Sequence, residues 1–249
     1  VTCSSEYVLY VNGRCVGRGP GPCSLAAQYY DEYSLGHLLR PGRNVIAALC
    51  YNCGVDTAAR PASPGGFLLQ MQCGDGVVLE SDETWWVQPG DEWDRNSPRR
   101  SALLGFAEIC NTLRKPVGWN VVGLHDDGWQ QAAVLGDAGT HSGSLIPRPI
   151  PPLREQEVVA VGVVSGGRIA EVLPDGLGAA ARMERETLLA DPGAVRYRDC
   201  LLNASAEVAV IEPGGDAFVI LDFGRVLTGR PILRVRDGGG CRADIGCSV

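Results

Sequence analysis

The stretch Tyr7-Val8-Leu9-Tyr10-Val11-Asn12-Gly13-Arg14-Cys15-Val16 decides how this chain is read. Two runs of apolar, β-prone residues flank Asn12-Gly13. Both central residues of a type I′ turn need positive φ, which Asn and Gly tolerate, so Tyr7–Val11 and Arg14–Val16 are expected to form a tight hairpin. Outward from it the same signals recur. Arg40-Pro41-Gly42-Arg43-Asn44 has Pro then Gly at the centre of a turn, as type II geometry asks, and leads into a strand at Val45–Cys50. Gly66–Cys73 and Val77–Glu80 read as strands joined at Gly74-Asp75-Gly76, followed by Thr84–Gln88 and Phe106–Cys110.

Composition agrees with many short strands. The 249 residues include 33 Gly and 16 Pro, punctuation that leaves little room for long helices. Four prolines within Ile146-Pro147-Arg148-Pro149-Ile150-Pro151-Pro152 predict a stiff, extended connector. The domains expected are therefore 1–145, a linker at 146–153, and 154–249. Beyond the linker, Val158–Val164 and Arg168–Val172 read as a hairpin around Gly166-Gly167. Leu177–Leu189 reads as the one helix of length, and Glu207–Ile211, Ala217–Phe223, Ile232–Arg236 and Arg242–Ile245 read as strands. The fold class is mainly β: a β-sandwich followed by a second β-rich domain.

The charge balance of 22 basic and 29 acidic residues, −7, gives no electrostatic reason to seek nucleic acid. No apolar run is long enough to span a membrane. Ten cysteines contain a single C-x-x-C, Cys50 and Cys53, without the second ligand pair of a structural zinc site. They read as buried or half-buried free thiols, and no metal or cofactor is expected. The three histidines, His37, His125 and His141, show no metal-ligand spacing. Gly17-Arg18-Gly19-Pro20-Gly21-Pro22 lacks the features of a phosphate-binding loop.

Acidic clusters at Asp82-Glu83, Asp91-Glu92-Asp94 and Asp126-Asp127 sit in turn-like contexts, where Asp closes turns. Sugar binding is read more readily than catalysis. Trp93, flanked by Asp94 and Arg95, is the loop aromatic best placed to stack on a sugar ring while polar neighbours hold its hydroxyls. Trp85 and Trp86 are adjacent, so on a strand one faces the core. Trp119 and Trp129 read as packing anchors.

An ordered set of motifs resembles the portion of bacterial α-L-rhamnosidases, glycoside hydrolase family 78, that precedes the catalytic barrel. Leu9-Tyr10-Val11-Asn12-Gly13-Arg14 with Val16-Gly17-Arg18-Gly19-Pro20, Leu39–Ala47, Asp82-Glu83-Thr84-Trp85, Asp126-Asp127-Gly128-Trp129, Ile146–Leu153 and Leu221-Asp222-Phe223-Gly224-Arg225 with Thr228-Gly229 are similar to that family in the same order. The resemblance implies a galactose-binding-like jelly-roll sandwich, with its opening strands missing, and a second β-domain incomplete at its end. It also implies a catalytic (α/α)6 barrel in the same polypeptide as partner and rhamnosides as ligand. The family's acid and base are carboxylates of that barrel, and no position here matches them. The expected role is thus a non-catalytic accessory portion of a glycoside hydrolase, inactive alone. The alternatives are a stand-alone carbohydrate-binding module, or structural β-domains of another hydrolase such as a β-galactosidase relative. The chain opens at Val1, so a processed or truncated product is expected, and unpatterned cysteines favour the cytoplasm over secretion or the periplasm.

Overall fold

A computed structural model of the chain describes residues 1–23, 27–58, 60–101, 105–124, 128–138, 143–170, 179–202, 207–237 and 239–247. They divide into two units, Val1–Leu153 and Arg154–Val249. Both are mainly β, built from several two- and three-stranded sheets. No helix among the described residues is long and apolar enough to cross a membrane.

In the first unit the strands are β1 (Thr2–Cys3), β2 (Glu6–Val11), β3 (Arg14–Gly19), β4 (Ala27–Tyr30), β5 (Ile46–Tyr51), β6 (Phe67–Leu68), β7 (Gln70–Cys73) and β8 (Gly76–Glu80). They continue with β9 (Trp86–Val87), β10 (Arg99–Ser101), β11 (Gly105–Phe106), β12 (Gln130–Gln131) and β13 (Ser144–Pro147). The hairpin of β2 and β3 turns at Asn12 and Gly13 with φ of 50° and 82°, both positive as a type I′ turn requires. β2 is the middle strand of the sheet β3-β2-β5, not an edge. Its alternation buries Tyr7, Leu9 and Val11 at 1%, 2% and 0% exposure. Cys3 and Leu69 complete that core, with Phe67, Trp85 and Tyr33 packed against it.

Two motifs meet at the hairpin turn. The Asn12 amide donates to Asn44 Oδ1 at 2.8 Å and to the Leu38 carbonyl at 3.1 Å, and Asn12 Oδ1 accepts from Val45 N–H at 3.0 Å. Asn44 in turn donates to the carbonyls of Arg40 and Gly42, closing the Pro41-Gly42 turn, where Gly42 has φ 86°.

Unit one also extends further than the proline-based boundary at 145. Ile146 and Pro147 belong to β13, which runs parallel to β4. Arg148 ion-pairs with Asp31, and its Nη2 donates to the Arg18 carbonyl at 3.2 Å. Tyr7 Oη donates to the same Asp31 carboxylate and lies 3.1 Å from Tyr33 Oη. Parallel pairing tolerates Pro147 at the end of an outer strand.

In the second unit, β14 (Gly162–Ile169) is followed by α1 (Ala179–Arg185), β15 (Leu188–Ala190), β16 (Val195–Arg196), β17 (Val210–Ile211) and β18 (Ala217–Asp222), with sheet order β15-β14-β18. The hairpin expected around Gly166-Gly167 is replaced by one continuous central strand. A Cβ at Gly167 would overlap the Leu189 carbonyl oxygen, so this glycine permits close backbone approach rather than a turn. The expected helix Leu177–Leu189 is shorter: residues 171–178 lie outside the described set, and Leu188–Leu189 pair with β14 instead. Thr84–Gln88 shrinks to β9, because Asp82 accepts from the Thr84 N–H and hydroxyl and turns the chain there. Ile232–Arg236 and Arg242–Ile245 form no strands; their apolar side chains stay exposed, Ile232 at 65% and Ile245 at 52%, and no neighbouring strand pairs with them.

The free thiols also differ from expectation. Cys15, Cys50, Cys73, Cys110, Cys241 and Cys247 are exposed, and Cys3 is the buried one.

Candidate carbohydrate-binding site

The Trp93 loop is held by its backbone. Trp93 N–H closes onto the Gly90 carbonyl at 3.2 Å, and Trp93 bridges to Cys110. Asp94 N–H donates to the Ile109 carbonyl at 2.9 Å and Asn111 N–H to the Glu92 carbonyl at 2.7 Å. Asn111 then caps the short 3-10 turn Thr112–Arg114 by accepting from Leu113 N–H at 3.1 Å. Loop 90–96 is thereby laid against segment 109–114.

On this frame Trp93 is half-buried, with Asp94 and Arg95 exposed beside it. Asp94 Oδ1 accepts from Asn96 N–H at 2.8 Å, and Arg95 reaches Asp91 at 3.4 Å with both side chains about 70% exposed. That surface ion pair is weak and open to competition from a ligand. The three residues therefore offer a half-buried aromatic ring, one carboxylate and one guanidinium at the surface, groups of the kind that contact sugar rings and hydroxyls.

Glu92, read from sequence as a turn residue, is instead 7% exposed, and it pushes the neighbouring Cys110 thiol up, after burial, the larger cause. Segment 112–120 adds an open cleft of about 310 Å³ lined by Thr112, Lys115, Val117, Trp119 and Asn120. Trp119 packs edge-on to Tyr10, centroids 5.3 Å apart, so it is both an anchor and a cleft wall. Trp85 is the inward member of its pair: it stands 5.8 Å from Phe67 and donates to the Glu80 carbonyl at 2.9 Å, whereas Trp86 is 49% exposed.

Several other acidic side chains among the described residues close turns or pair with arginine. Asp222 accepts from Gly224 N–H at 2.7 Å, where Gly224 has φ 69°, so the Asp222-Phe223-Gly224 motif is a turn. Asp31, buried like Glu92, pairs with Arg148. Burial pulls the Arg148 guanidinium down, but the hydrogen bond and charge of Asp31 outweigh it, so Arg148 stays firmly charged. Burial, then the hydrogen bond to Asp31, pushes the Tyr7 hydroxyl far up. This cluster is a packed structural network with its donors turned on one another. His125, His141, Asp126 and Asp127 lie outside the described residues. Among the described residues, no three His, Cys, Asp or Glu side chains gather as metal ligands.

No family model and no curated protein matches the chain. Among solved structures it matches the GH78 family rhamnosidase of Bacillus sp. GL1 with 34% identity and a TM-score of 0.65. The chain is GH78 rhamnosidase-like. The match covers 68% of this chain and 18% of the GH78 structure's own chain, so this chain spans under a fifth of that protein.

Proposed function

We propose that this chain is a non-catalytic accessory portion of an α-L-rhamnosidase-like glycoside hydrolase, which braces a catalytic (α/α)6 barrel of the same polypeptide and contacts rhamnoside sugar at Trp93, Asp94 and Arg95. In this reading the first unit is a galactose-binding-like jelly roll and the second a β-domain that carries the barrel. The observation that carries it is the match to a small share of a GH78 rhamnosidase. Support comes from the acidic residues. Glycoside cleavage uses two carboxyl groups on either side of the sugar, roughly 5–9.5 Å apart, one of them holding a proton. Here Asp82 and Asp222 are turn-closing residues, Asp91 is paired with arginine at the surface, and Asp31 is locked to Arg148.

Further support comes from the second unit's surface. Val164, Leu189 and Ile220 on its three paired strands are 65%, 52% and 42% exposed, apolar side chains suited to being covered by more protein.

Calorimetric titration of the folded chain with L-rhamnose and an aryl rhamnoside tests the sugar contact. Weak saturable binding is expected, reduced about tenfold by Trp93→Ala, the loss of one stacked ring. Trp86→Ala is expected to leave it unchanged. Binding that survives Trp93→Ala, or none at all, would remove the sugar contact from the proposal.

A further inference from the structure

Cys50 is the first cysteine of the C-x-x-C, and its partner is not the one the motif suggests. On β5 it stands opposite Tyr7 of β2, so the two side chains share a face of the sheet, the face that Tyr7 buries in the core. Cys3, on β1, belongs to that same core at 3% exposure. Ser5, between β1 and β2, ties the end of β5 to this segment: its Oγ donates to Asn52 Oδ1 at 2.9 Å and accepts from Cys53 N–H at 3.3 Å. The neighbouring Cys50 thiol, then burial, pushes the Cys3 thiol far up, so the two sulfurs lie close together. Tyr51, next along β5, points to the opposite face, and Cys53 is the neighbour that helps raise its hydroxyl, after burial.

We propose that Cys3 and Cys50 are a redox pair that closes to a disulfide by exchange with a low-molecular-weight disulfide such as oxidised glutathione. Cys50 is the entry point because it is exposed. Its thiolate attacks one sulfur of glutathione disulfide, forming a mixed disulfide and releasing one glutathione thiolate. Cys3 then gives its proton to solvent and attacks the Cys50 sulfur, which forms the Cys3–Cys50 bond and releases the second glutathione. Two protein thiols are oxidised by two electrons, and one glutathione disulfide is reduced to two thiols. The Cys50 contact and burial hold Cys3 protonated, which makes the second step the slow one. The bond would clasp the N-terminal strand to β5 and close the long chain segment between them.

The test is oxidation of the purified chain with glutathione disulfide, alkylation in denaturant, trypsin digestion and mass spectrometry. The expected product joins the peptide containing Cys3 to the one containing Cys50. It is accompanied by a rise in melting temperature of roughly 5–10 °C, as a typical disulfide gives in a chain of this size. Cys53→Ser should retain the link and Cys50→Ser should abolish both link and temperature shift; Cys50 is exposed, so that variant is expected to fold. Free Cys3 with Cys50 carrying glutathione, or a Cys50–Cys53 bond, would overturn the proposal.

Discussion

In the unit Val1–Leu153 the central strand β2 buries a tyrosine, a leucine and a valine; in Arg154–Val249 the central strand β14 buries two glycines, Gly166 and Gly167. The buried apolar residues of the second unit are otherwise small: Ala160, Ala194 and Val195. Large side chains on β2 fill a core of their own. Glycines on β14 bring neighbouring backbones close and leave Val164, Leu189 and Ile220 facing outward. The first unit thus buries its large side chains on its central strand, while the central strand of the second is built for close backbone approach.

The largest effect should come from the buried ion pair of the first unit. Arg148 and Asp31 side chains are 11% and 6% exposed, and Arg148→Met leaves the carboxylate buried without its cation. A loss of about 3–5 kcal/mol is expected in urea unfolding of the first unit. The double change Asp31→Asn with Arg148→Met should recover part of it, and equal losses for the single and double variants would show that the pair is not the source.

Core truncation sharpens the contrast. Leu9→Ala should cost about 2–5 kcal/mol. Ile220→Ala in the second unit should cost under about 1 kcal/mol in the 249-residue chain, since the side chain is 42% exposed. Similar costs at both positions would break the comparison between the units. Gly167→Ala should destabilise the second unit by about 1–3 kcal/mol, because the methyl group meets the Leu189 carbonyl. Gly166→Ala should cost less, as its nearest neighbour, at 3.0 Å, is the movable end of Arg198. Hydrogen exchange of the Leu188–Ala190 amides reads the difference directly.

Much of the first unit was legible in sequence because its signals are local. Asn12-Gly13 and Pro41-Gly42 specify turns by backbone geometry alone, and β2 shows its alternation in five letters. That Asn12 and Asn44 bond to each other, or that Arg148 returns to Asp31, is set by tertiary packing and leaves no local mark. Gly166-Gly167 misled because glycine serves both turns and close strand contacts, and only the position of Leu189 decides which. Apolar alternation at 232–236 misled in the opposite way: the pattern suits a strand, but no partner strand pairs with it. Trp93, Asp94 and Arg95 are read as a candidate site from their residue types alone, while buried Glu92 and the cleft wall at Trp119 depend on how segment 109–120 folds beside the loop.

The central claim is that this chain supports rather than performs sugar cleavage. The direct measurement is turnover of an activated aryl rhamnoside by the purified, folded 249-residue chain. The account predicts no release of the aryl group above the uncatalysed rate. Measurable turnover that a single substitution such as Glu92→Gln abolishes, with folding intact, would contradict it and place a working active site within these residues.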